Sequence, residues 1–140
     1  MGKKITVAKA IEEGIKEEMR ADPDVILLGQ DVRLGGVWGT SAGILEEFGP
    51  ERIFPLPISE NGFCGLATGI AMAGKRPVVE IMFGDFMLLA MDAIVDQAAK
   101  YAYQSGPDFK IPVVFRAAGS GIGGGFGLHH AQAPESWLMP

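Results

Sequence analysis

Four short apolar runs, each separated from the next by a segment of helical periodicity, constrain this chain more than any other feature. Val25-Ile-Leu-Leu28 is apolar on consecutive residues, so a strand there has no polar face to show water and needs cover on both sides. Ile53-Phe54, Pro77-Val-Val-Glu-Ile-Met82 and Ile111-Pro-Val-Val-Phe-Arg116 read as the second, third and fourth strands. Between and before them lie helices. Thr6 is a candidate N-cap for a helix running to about Arg20, with Val7, Ala10, Ile11, Gly14 and Ile15 on one face and Glu12, Glu13, Lys16 and Glu17 on the other. Asp22-Pro23-Asp24 breaks it. Ser41 is positioned to cap a short helix ending at Phe48-Gly49-Pro50, and Ser59 a longer one ending at Gly74. The longest helix is expected from about Phe86 to Tyr103. This alternation predicts an α/β fold: a mainly parallel sheet with helices on both faces, in three layers, with functional groups at the C-terminal ends of the strands. No internal repeat or linker divides residues 1–140, which read as one domain.

Composition sets limits on function. At 140 residues, 48% hydrophobic and 21% charged, the chain can hold a real core. Its 20 glycines exceed ordinary usage without any collagen-like period, which points to tight turns and close backbone approaches. A net charge of −5 with dispersed Lys and Arg argues against nucleic acid and anionic membranes as partners. Cys64 is the lone cysteine, so neither an intrachain disulfide nor a zinc cluster is available, and a reducing, cytoplasmic setting is expected. The opening Met-Gly-Lys-Lys-Ile-Thr lacks the apolar stretch of a secretory signal. The apolar window Ile81 to Val95 is interrupted by Asp85 and Asp92 and is shorter than the ~20 residues that span a bilayer.

One segment carries candidate chemistry. In Ile58-Ser-Glu-Asn-Gly-Phe-Cys-Gly-Leu-Ala-Thr-Gly-Ile70, Glu60 falls in the first helical turn, where exposed backbone N–H groups favour a negative charge. Gly65 and Gly69 share a helix face that Gly62 and Ala73 extend, a groove that admits another backbone. Each helical glycine costs about 1 kcal/mol against alanine, so the run needs a packing reason. For any one of these residues, tight packing and a charged helix start suffice as an explanation.

Together, Glu60, Gly65-Leu66 and Gly69-Ile70 resemble the signature of thiamin diphosphate enzymes on their pyrimidine-binding domain. The wider run Pro57 to Gly65, then Gly74-Lys-Arg-Pro-Val-Val-Glu80, Phe86, Asp92 to Lys100 and Pro112-Val-Val-Phe-Arg116 is similar to β subunits of the decarboxylating component of 2-oxo acid dehydrogenases. The resemblance implies that Glu60 hydrogen-bonds the cofactor's aminopyrimidine and relays its proton, with Ile58, Phe63 and Leu66 keeping water away. It implies that Phe86 stacks on the pyrimidine ring, and that Ile58 and Gly62 complete the cofactor contacts. His130, followed by Ala131-Gln132, matches a family histidine that moves protons during decarboxylation and acyl transfer, with His129 the second candidate. The Gly-x-Gly spacing after Arg116 lacks the rest of a dinucleotide fingerprint.

The resemblance further implies an α-subunit partner in an α2β2 assembly. That partner would hold Mg²⁺ and the diphosphate end, because no Gly-Asp-Gly motif occurs here, and a lipoyl-bearing acyltransferase core would accept the acyl group. The C-terminal domain of such β subunits is absent, so the chain is expected to be a fragment, inactive alone. Gln30-Asp31 departs from the family's acidic pair. Pyruvate, a branched-chain 2-oxo acid and acetoin all remain open as substrates. A transketolase-like or deoxyxylulose-phosphate-synthase-like domain and a non-catalytic assembly module are the alternatives.

Overall fold

Because Val25–Gly29 (β1) is apolar on both faces, it belongs inside a sheet, and all five of its residues are buried. The computed structural model describes residues 4–106, 108–119, 121 and 126–139. β1 pairs in parallel with Ile53–Pro55 (β2) on one side and with Arg76–Ile81 (β3) on the other, and β3 pairs with Val114–Ala117 (β4), giving the order β2-β1-β3-β4. Pleating divides the strand side chains into two cores. On one face Val25, Leu27, Ile53 and Val78 pack with Ile15 and Met19 of Val7–Ala21 (α1) and Ile44 of Ile44–Phe48 (α2). On the other, Val79 and Ile81 pack with Phe63, Cys64 and Ala67 of Glu60–Met72 (α3), joined by Ala90 and Ala93. Leu27, Leu28, Ile53, Val79 and Ile81 are fully buried, each worth about 1.5–3 kcal/mol relative to exposure. The three-layer α/β expectation holds.

Local signals held where the neighbouring backbone was the only competitor. The Thr6 hydroxyl accepts from Lys9 N at 3.2 Å, and Gly74, at φ +96°, ends α3 with Lys75 N donating to Ile70 O. Elsewhere distant groups won. The Ser41 hydroxyl donates to Val32 O, and α2 instead follows a left-handed Gly43. Ser59 occupies the cap position of α3, but its hydroxyl donates to Pro57 O. The continuous helix expected from Phe86 to Tyr103 is three pieces: a 3-10 stretch Gly84–Ala90, a π-helical stretch Asp92–Ala98, and α-helix Ala99–Ser105 (α4). Asn61 Oδ1 accepts from Ala93 N at 3.3 Å, which takes that donor out of the regular ladder where the wider winding begins. The fourth strand starts later than expected, after Pro112, whose nitrogen has no proton to give a ladder. Among the described residues no helix is long and apolar enough to cross a membrane.

The register places Glu80 opposite Arg116, and the two side chains form a buried ion pair with 3% and 15% exposure. Thr40 Oγ1 donates to both Glu80 oxygens at 2.9 and 3.0 Å and accepts from Arg116 Nη2. A Cβ on Gly36, at φ +70°, would stand 3.0 Å from Glu80 Oε1, so the glycine-rich loop closes directly over the carboxylate. Burial pushes the Glu80 carboxyl up, opposed by Arg116 and Thr40.

Glu80→Gln should lower stability in urea melts by about 3–5 kcal/mol, because it leaves Arg116 buried and unpaired. Two Arg116 nitrogens already lack a partner, so Glu80→Gln with Arg116→Met should recover most of that loss. At Cys64, burial and then the Glu60 carboxylate push the thiol from 9.0 up to about 12. The folded chain keeps a proton that the unfolded chain releases, so this contribution is complete below the unfolded value and disappears as pH rises towards 12. Cys64→Ala should therefore flatten the alkaline fall in stability, and iodoacetamide at about pH 8 should label Cys64 only after unfolding.

Candidate functional site

Glu60, Phe86 and His130 come from different segments but from one end of the sheet: each follows the C-terminal end of a strand, β2, β3 and β4 respectively. Open parallel sheets collect functional groups at that end, where no ladder neighbour occupies the outgoing chain.

Glu60 begins α3 and is 4% exposed. Its backbone position lies among the free N–H groups of the first turn, which favour its charge. Among the described residues no side chain or backbone group donates a hydrogen bond to its carboxylate. The Glu60 oxygens are not among the enclosed polar atoms that lack a partner, so the carboxylate edge reaches the surface at the start of α3 and is open to a group from outside. Phe63, one turn on, is 2% exposed and supplies apolar cover. Ile58 does not: at 83% exposure it stands out in front of the helix, because Pro57 and the Ser59–Pro57 bond carry the chain over the surface there. Leu66, at 48%, also faces outward. The expectation that Ile58 and Leu66 shield Glu60 is thus corrected within this chain. Gly62 is exposed and has only Ser59 atoms beside it, at 3.4 Å from a Cβ position. Gly65 and Gly69 meet nothing within 4 Å, so this chain leaves the glycine face of α3 open.

Phe86 and His130 are brought together. Their ring centroids are 5.1 Å apart at 77°, and Phe83 meets both, at 5.4 Å from Phe86 and 4.9 Å from His130. Phe86 is partly buried and also packs against the core cluster that holds Phe63. Its neighbours here are edge-on aromatic rings, an arrangement favoured by the ring quadrupoles. His129 is exposed, whereas His130 is partly buried, which separates the two candidates. Of the glycine-rich loop between β4 and the histidines, residues 120 and 122–125 lie outside the described residues.

Trp38, Phe83 and Asp85 are not singled out by the sequence, and Gln132 takes a part here beyond its place after His130. Trp38 Nε1 donates to Met82 O at 2.7 Å and its ring meets Phe83 at 5.3 Å. A Cβ on Gly119 would come within 2.8 Å of that indole nitrogen, so glycine is required where the loop after β4 passes Trp38. Phe83 is the hub of the aromatic group, and Asp85 and Gln132 join the two segments that carry Phe86 and His130. Trp38 to Met82 spans 44 residues and Asp85 to Gln132 spans 47; the sequence traces are Asp85 interrupting an apolar run and Gln132 following His130. Among the described residues no three His, Cys, Asp or Glu side chains are grouped to hold a metal ion.

Comparison with known proteins gives this geometry a context. The family described as "Transketolase, pyrimidine binding domain" matches residues 3–140. Over 136 residues the chain is 42% identical to the rice protein named pyruvate dehydrogenase E1 component subunit beta-2, mitochondrial, covering 96% of this chain and 36% of the relative. It is 43% identical to the 2-oxoisovalerate dehydrogenase subunit beta of Bacillus subtilis over 129 residues, 91% of this chain and 39% of that one. The chain therefore spans well under half the length of these relatives. A solved structure described as a split gene transketolase, inactive beta4 tetramer, shares the fold at a TM-score of 0.64 and 24% identity, over 84% of this chain and 35% of that one. The mitochondrial name of the rice relative overturns the cytoplasmic setting expected from a lone cysteine, since a lone cysteine does not separate a matrix enzyme from a cytosolic one. The helix-start carboxylate, the glycine spacing behind it, the parallel sheet and the family match over residues 3–140 agree: this chain belongs to the transketolase pyrimidine-binding domain family.

Proposed function

We propose that the chain is the pyrimidine-binding part of a β subunit of a thiamin-diphosphate-dependent 2-oxo acid dehydrogenase. The observation that carries this reading is Glu60: a carboxylate 4% exposed at a helix start, with no hydrogen-bond donor among the described residues. A ligand with a ring nitrogen and a proton to share can reach that carboxylate edge from outside, next to the apolar Phe63. The similarity to β subunits of pyruvate and 2-oxoisovalerate dehydrogenases supports the same assignment.

In this reading Glu60 holds and returns a proton at its carboxyl oxygen, with Phe63 limiting water. Phe86 offers a ring face to the pyrimidine, and Gly62 leaves the start of α3 bare for its approach. His130, braced by Phe83 and Phe86, donates and accepts a proton at the substrate's developing oxygen. When bound, the cofactor supplies an electron sink for loss of carbon dioxide from a 2-oxo acid. The diphosphate and Mg²⁺ are assigned to an α subunit, in an α2β2 assembly, and a lipoyl-bearing acyltransferase core is the acyl acceptor. Pyruvate and branched-chain 2-oxo acids are the substrate classes, each matched by one of the relatives above; acetoin is the third class to assay.

The test is co-expression of the complete β chain with its α partner, followed by thiamin-diphosphate-dependent decarboxylation assays on pyruvate, 2-oxoisovalerate and acetoin. Glu60→Gln should reduce kcat by ~10²–10⁴-fold on the preferred substrate, and turnover equal to the parent's would refute the assignment. In the same assembly Phe86→Ala should weaken cofactor binding by about 1 kcal/mol, measured by fluorescence titration.

A further inference from the structure

We infer that Asp85 is a positioning residue that sets the orientation of His130 through Gln132, an inference that rests on the functional reading above for its catalytic consequence. Asp85 is 7% exposed. Its two oxygens accept from the same residue: Oδ1 from Gln132 Nε2 at 2.6 Å and Oδ2 from Gln132 N at 3.3 Å. No other donor reaches this carboxylate among the described residues. Gln132 is held at a third point, where its carbonyl accepts from Gly121 N at 2.9 Å. It therefore joins the turn after β3, the loop after β4 and its own segment.

The spacing explains why this matters for His130. Asp85 lies between Phe83 and Phe86, the two residues whose rings meet His130, and Gln132 lies two residues beyond His130. The same two segments are thus joined twice, once by the polar clasp and once by the ring contacts. Ring contacts alone leave an imidazole free to slide and turn, because edge-on aromatic packing is weakly directional. A two-point, charge-assisted hydrogen bond fixes the distance and angle of the backbone that carries the ring. A largely exposed loop without regular structure, from Gly127 to Ala133, needs such a fixed point if one side chain in it is to meet a reacting atom.

Two measurements test this. In the full chain, labelled at histidine, the His130 ring protons feel the ring currents of Phe83 and Phe86. Gln132→Ala and Asp85→Ala should both shift those resonances towards the values of unstructured histidine, while Asp85→Asn, which keeps an oxygen for Gln132 Nε2, should hold them. In the complete β chain assembled with its α partner, Asp85→Ala should lower kcat by ~10-fold or more with little change in KM. In a His130→Ala background the same substitution should have no further effect, which a merely structural role does not predict. Unmoved His130 resonances in Gln132→Ala overturn the inference, and that exposed position decides the matter even where Asp85→Ala fails to fold. Equal losses from Asp85→Ala with and without His130 overturn its action through that residue. Displaced resonances in Gln132→Ala together with parental turnover in His130→Ala support the clasp and sink the functional reading instead.

Discussion

The buried contact between Glu80 and Arg116 ties together the parts of the molecule that local preferences leave loose. Parallel strands buried on both faces have little use for charge, yet β3 and β4 each place an ionic side chain on the same face in register. Desolvation of two charges is costly unless each is well paired, so the pair requires Thr40 above it and Gly36 close enough to seal it. The loop that provides Thr40 also provides Trp38, whose indole bonds the carbonyl leaving β3. Trp38 then braces Phe83, and Phe83 braces both Phe86 and His130. A polar contact in one core therefore supports an aromatic group around the strand ends.

Glu60 stands in a different relation to its surroundings. Helix-start electrostatics favour a carboxylate there, and its oxygens keep an edge at the surface while most of the residue is covered. Cys64, one turn on, shows how dry the place is: burial is the larger cause of its elevated thiol and the Glu60 charge the smaller. On the proposed reading, that edge is where the cofactor's pyrimidine meets the carboxylate. The open glycine face of α3 is compatible with a neighbouring chain lying close by, as a site shared between subunits requires.

The architecture and the position of Glu60 were legible because both depend on short-range sequence patterns. Consecutive apolar residues marked β1 and β3, Thr6 marked the start of α1, and Glu60 with Gly65 and Gly69 marked the start and face of α3. Misreadings arose where a distant group competed for the same atom. Asn61 reaches Ala93 across 32 residues and breaks the helix that periodicity joined, and Val32 takes the hydroxyl that Ser41 was expected to use as a cap. The aromatic hub and the Asp85–Gln132 clasp were illegible for the same reason, since Trp38 to Met82 spans 44 residues and Asp85 to Gln132 spans 47. Apolar character alone does not place Ile58, because the turn through Pro57 and Ser59 holds it outside.

Gln30 gives the departure from the family's acidic pair a physical meaning. It follows β1, is 7% exposed, and its amide nitrogen has no acceptor among the described residues. An acid at this position can take and release a proton, but an amide cannot; it offers only fixed donors and one acceptor. The next residue, Asp31, adopts a left-handed conformation at φ +53° and is exposed, so its carboxylate does not replace the missing one inside. On the proposed reading, proton handling at this end of the sheet is assigned to Glu60 and His130. That concentrates the demand for accurate placement on two side chains: one is fixed by being part of a helix, and the other, on a loop, by its neighbours Phe83 and Phe86 and the clasp beside it.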